Sequence, residues 1–138
     1  MDNSFVNMHS ASFDSETYVK ILIAIAKADR DNGPPEFDYV RKQAQRLGLD
    51  YEQLLSSTDR LFDIEKQHVS RLTAFVVLRD AIMLASRDRH FSLPEREKIY
   101  TFAARMDISR RDVDHLEEWI RGYRTLHTEW EGLVAGTL

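Results

Sequence analysis

No cysteine occurs among the 138 residues, which excludes disulfides, thiolate metal sites and cysteine nucleophiles and fits a reducing, cytoplasmic setting. Glycine is sparse, at five residues, and none of it forms a Gly-rich phosphate loop. No segment alternates apolar and polar residues as a half-buried strand does. The two apolar stretches, 19–28 and 72–85, are too short to span a bilayer, and Lys20, Lys27, Arg79 and Asp80 interrupt them. Direct membrane insertion is therefore not expected. The first twelve residues have neither a basic leader nor an apolar run, so they read as a flexible N-terminus rather than a signal peptide. Nor is there much charge of one sign. With 19 basic and 23 acidic residues the net charge is −4, so the overall field does not draw nucleic acid.

What remains is the composition of an ordinary globular chain, 43% hydrophobic and 30% charged, in a length that suits a single domain spanning 1–138. Apolar residues recur at helical spacing throughout. Helices are expected at about 15–29, 34–47, 51–56, 93–106 and 110–130, with one or two more in 59–87. The fold class is all-α, a helical bundle of about six to seven helices.

The most informative pattern is a match at a constant offset of 59. It pairs Ala26 with Ala85, Asp29 with Asp88, Arg30 with Arg89, Pro35 with Pro94 and Glu36 with Glu95. It continues through Asp38 and Glu97, Val40 and Ile99, Ala44 and Ala103, Arg46 and Arg105, to Leu49 and Ile108. Ser92 and Glu95 form a capping box, with Pro94 in the first turn, where its missing donor costs nothing. Asp50 with Gln53 and Ser109 with Asp112 mark the next helix starts, again 59 apart. Gly48 ends the preceding helix of the first copy. An internal pseudo-twofold repeat is expected, with units at about 15–57 and 72–130.

The runs Ile21-Leu-Ile-Ala-Ile-Ala-Lys-Ala-Asp29, Pro35-Glu36 and Ala44-Gln-Arg-Leu-Gly-Leu49, with the second copy Ala85-Ser-Arg-Asp88, Pro94-Glu95 and Ala103-Ala-Arg-Met-Asp-Ile108, resemble the tellurite-resistance TerB-like family. That family is also found in the N-terminal regions of some membrane-anchored DnaJ-type proteins. The likeness spans roughly 19–120. Arg30 and Arg89 stand where the family's usual motif has glycine. The resemblance implies an all-helical pseudo-twofold fold, a bacterial stress-response or adaptor role, and divalent-cation binding by loop carboxylates.

Asp29, Asp31, Glu36 and Asp38 in the first loop region, with Asp88, His90, Glu95 and Glu97 in the second, are the candidate constellation. Oxygen-rich clusters suit calcium or magnesium, and the histidine tolerates a transition metal. The metal set is Asp29, Asp31, Glu36, Asp88, His90 and Glu95. The same residues have a plainer explanation. Glu36 and Glu95 are capping residues, and Asp29 and Asp88, at helix C-termini, are compensated by the next helix N-terminus and by Arg30 and Arg89.

A second pattern, Glu65 with His68 and Asp112 with His115, echoes the carboxylate–histidine pairs of di-iron bundles. The carboxylates such a site also needs from two further helices are lacking. The arginines at 105, 110, 111, 121 and 124 are interleaved with acids and read as a mixed solvated face. Trp119 and Tyr123 read as core, in line with Val113, Leu116, Ile120 and Leu126, while Trp130, beyond the repeat, is placed to dock the tail or a partner. The expected function is a non-catalytic module that binds a protein partner, with a divalent cation held at its paired acidic loops. The alternatives are a metal-dependent enzyme using Glu65, His68, Asp112 and His115, and a homodimer formed through the last helix.

Overall fold

A computed structural model of the chain describes residues 12–28, 34–58, 69–86 and 92–137, with only the backbone course for 28 and 34–36. Among the described residues there are six helices and no strand. They are α1 (Ser15–Ala28), α2 (Pro34–Arg46), α3 (Tyr51–Ser57), α4 (Arg71–Ala85), α5 (Leu93–Arg105) and α6 (Arg110–Ala135). They pack as a bundle. The helix read within 59–87 begins at Arg71, and 59–68 lie outside the described residues. The last helix continues five residues past the expected 130.

Local chemistry sets the starts. Asp14 caps α1, its carboxylate accepting the Thr17 N–H at 3.0 Å and the Thr17 hydroxyl at 2.7 Å. Ser70 accepts the Thr73 N–H at 3.1 Å ahead of α4, and Ser92 accepts the Glu95 N–H at 3.2 Å ahead of α5. Each supplies an acceptor to a donor that has no partner within its own helix.

The two apolar helices form the centre. Tyr18, Val19, Ile21 and Ile23 of α1 and Val76, Val77, Leu78 and Ile82 of α4 are fully buried. Such all-round burial is what a helix without a polar face requires. The Asp14 N–H donates to Thr73 Oγ1 at 3.0 Å, and the Tyr18 hydroxyl donates to Asp80 Oδ2 at 2.5 Å. Both contacts advance in the same sense along the chain, so α1 and α4 run in parallel. Around this pair, α1 packs against α2 and α3, and α4 packs against α5 and α6.

The outer helices on the two sides have matching details. Both α2 and α5 run 13 residues, and they begin 59 positions apart (93 − 34). After α2, Leu47 N–H donates to Ala44 O at 3.2 Å and Leu49 N–H to the same oxygen at 2.9 Å. After α5, Met106 and Ile108 do the same to Ala103 O at 3.0 and 2.9 Å. The residue that turns the chain is left-handed in both cases, Gly48 at φ 73° and Asp107 at φ 61°. Only glycine enters that region freely, and aspartate is one of the few others to tolerate it. Asp50 then caps α3 through the Gln53 N–H at 3.2 Å, and Ser109 caps α6 through the Asp112 N–H at 3.1 Å.

One polar cluster sits inside the core. Asp80, on the buried side of α4, accepts from the Tyr18 hydroxyl and from Arg79 Nε at 3.2 Å and faces the Tyr39 hydroxyl of α2. Gln43 Nε2 donates in turn to Tyr39 Oη at 2.6 Å. Both members of the Arg79–Asp80 ion pair are buried, at 3.1 Å. Burial pushes the Asp80 carboxyl upward, against the opposing pull of Arg79 and the two phenols. Burial, and then the charge of Asp80, raise both tyrosines well above the ordinary value, so they remain donors. The cluster ties α1, α2 and α4 together through one carboxylate.

Candidate functional site

The carboxylates expected to hold a cation divide into two groups. Asp29, Asp31, Asp88 and His90, together with the side chain of Glu36, lie outside the described residues, as do Glu65 and His68. Those that are described have other partners. Glu95 Oε1 accepts the Ser92 hydroxyl at 2.8 Å, completing the capping box. Asp38 is held by Arg41 and by Lys42 at 3.2 Å; the Lys42 ammonium above all keeps its carboxyl below the usual range. Glu97 pairs with Arg110 at 3.2 Å. Asp112 pairs with Arg71 at 3.1 Å, which lowers its carboxyl in turn, and His115 is exposed. Among the described residues no group of three or more histidines and carboxylates is placed to hold a metal ion. No helix among them is long and apolar enough to cross a membrane.

The described surface is most unusual along α6. At 26 residues this helix is about 39 Å long, against about 22 Å for the 15 residues of α4 beside it. Its first half packs on the bundle, with Val113 and Ile120 buried. Arg71 meets Asp112 near the start of both helices. Arg124 reaches the other end of α4, donating to Ser86 O and Ser86 Oγ at 3.1 Å each and to Met83 O at 3.3 Å. Those carbonyls belong to the last turn of α4, where a cation is favoured. The contact marks where α4 ends, and α6 continues beyond it for eleven more residues (135 − 124).

The expectation that Trp119 belongs to the core is corrected here, and Leu126, noted at the same helical spacing, is exposed as well. Trp119 is 44% exposed and Leu126 66%, along with Trp130 at 64%, Leu133 at 63% and Val134 at 70%. The reason is geometric. Two apolar stripes wind along α6, one through Val113, Leu116 and Ile120, which meets α4 and α5, and another through Trp119, Tyr123, Leu126, Trp130 and Leu133. The second steps by four, three, four and three residues, the heptad spacing of a helix-pairing seam. It keeps to one side of the helix, next to the packed stripe, and four of its five residues are exposed. Tyr123, half-buried, is stacked between its neighbours. Its ring centroid lies 5.8 Å from that of Trp119 and 6.2 Å from that of His127. The His127 imidazole in turn meets Glu131 at 2.9 Å.

This ladder of i, i+4 neighbours fixes side chains that would otherwise be mobile on an exposed helix. The helix ends cleanly, with Gly136 left-handed at φ 72° and the Thr137 N–H donating to Gly132 O at 2.9 Å. An exposed apolar seam of this length, rimmed by charges, is the surface pattern of a binding site. Comparison of the chain with protein-family models, with curated proteins and with solved structures finds no match.

Proposed function

We propose that the chain is a non-catalytic adaptor: a duplicated three-helix core that holds out α6 as an arm for docking another protein. The observation that carries this is the seam of Trp119, Leu126, Trp130 and Leu133, apolar, in heptad register and exposed. Burying it against a partner helix removes large aromatic surfaces from water, the commonest source of binding energy at interfaces. The duplication is supported by the shared offset of 59 in helix starts, left-handed turns and caps. The likeness to TerB-like proteins rests on the motif residues quoted above and brings with it a bacterial stress-response adaptor role. A non-catalytic function is supported by the use of Ser70, Ser92 and Ser109 as helix caps and by the ion pairing of Asp38, Glu97 and Asp112.

Replacing Leu126 with a photo-crosslinking amino acid tests the adaptor role in cells. A discrete adduct is expected after irradiation, and none from the same probe at Lys98 on the outer face of α5. Equal, diffuse labelling from both positions would end the proposal.

A further inference from the structure

We infer that the occupant of the α6 seam is a second copy of this chain, paired antiparallel through Trp119, Tyr123, Leu126, Trp130 and Leu133. The inference rests on the docking role proposed above and supplies its partner. Area is the first argument. The exposed apolar side chains of the seam amount to roughly 500 Å² per copy. Two copies bury on the order of 1,000 Å², the threshold for a specific if weak interface. A twofold pair also uses one self-complementary patch, in which each residue meets the partner's counterpart reciprocally.

The direction follows from the helix dipoles, which antiparallel pairing sets in opposition and parallel pairing sets side by side in the same sense. In antiparallel heptad register Trp119 of one copy lies opposite Trp130 of the other, and Tyr123 lies opposite Leu126.

Gly122 is the independent observation. A glycine inside an exposed helix weakens it relative to alanine, and here a Cβ would meet nothing within 4 Å in its own chain. Packing within the chain therefore gives no reason for it. It borders the seam between Trp119 and Leu126, where a bare backbone lets a second helix approach closely.

Light scattering of the full chain from about 1 μM to about 500 μM tests this by mass action. The expected result is a doubling of mass with concentration, accompanied by a blue shift of tryptophan emission. Leu126→Glu should stay at monomer mass throughout with unchanged far-ultraviolet circular dichroism, since its side chain is exposed in the single copy. A wild-type chain that is monomeric at every concentration overturns the inference, as does a Leu126→Glu chain that still dimerises. If removing residues 1–11 turns a monomer into a dimer, that segment covers the seam instead, and the inference again fails. In all three cases a crosslinked adduct of other than twice the chain mass leaves the adaptor role standing.

The sense of pairing is read by oxidising a mixture of Glu118→Cys and Glu129→Cys chains, which have no other cysteine. Antiparallel pairing joins the two variants to each other. Absence of the mixed disulfide overturns that arrangement.

Discussion

Asp80→Ala should lower the unfolding free energy by about 3–5 kcal/mol, the cost of removing one partner from a buried ion pair. The substitution strips the buried Arg79 of its carboxylate and leaves the Tyr18 hydroxyl, 2.5 Å from Asp80 Oδ2, without an acceptor in the core. Tyr39 loses the same acceptor. Leaving buried donors unsatisfied costs more than the net worth of the bonds they made. Asp80→Asn should cost less, since the amide oxygen can still accept from one phenol. Glu97→Ala, at an exposed pair with Arg110, should change stability by no more than about 0.5 kcal/mol. Urea denaturation at neutral pH measures all three. A loss below about 1 kcal/mol for Asp80→Ala would mean that the cluster does not tie the central helices together.

The second large effect contrasts two leucines. Leu78 is fully enclosed on α4, and Leu126 is 66% exposed on α6. Leu78→Ala should cost about 3–5 kcal/mol, a transfer term plus a cavity that the tightly packed α1–α4 contact cannot close. Leu126→Ala should cost less than about 0.5 kcal/mol in the monomer. Denaturation midpoints measured at low protein concentration give both values. Similar losses at the two sites would mean that the outer stripe of α6 is part of the core.

These contrasts also show what the sequence could reveal. Starts and stops were legible, because caps and left-handed turns are local. Ser92 three residues before Glu95, Asp50 before Gln53 and Gly48 after Leu47 each carry their own explanation within a few positions. The all-α class and the central burial of α1 and α4 followed from apolar residues on every side of those segments. The Asp80 cluster was not legible. In the chain, Asp80 looked only like an interruption of an apolar run, and its partners Tyr18 and Tyr39 are 62 and 41 positions away. At the offset of 59 its counterpart is Ile21, so the sequence match gave no hint of a carboxylate there.

Tryptophan 119 failed for a different reason. Two apolar stripes overlap on α6, and helical spacing alone does not say which one meets the bundle. That depends on where α4 stops, which Arg124 reveals only by reaching the Ser86 carbonyl. Of the candidate cation ligands, Glu95 is engaged in its cap, and Asp29, Asp31, Asp88 and His90 lie beyond the described residues.

Both tryptophans of the chain lie on the proposed seam, at 119 and 130, so their fluorescence reports on it without labelling. The most direct measurement is acrylamide quenching of that emission in dilute native protein, compared with the urea-unfolded chain and with concentrated native protein. The account predicts substantial quenching in the dilute native state, below that of the unfolded chain because Trp119 is 44% exposed, and protection on concentration as the seam is covered. Tryptophans that are shielded in the dilute native state, and no further shielded on concentration, would contradict it.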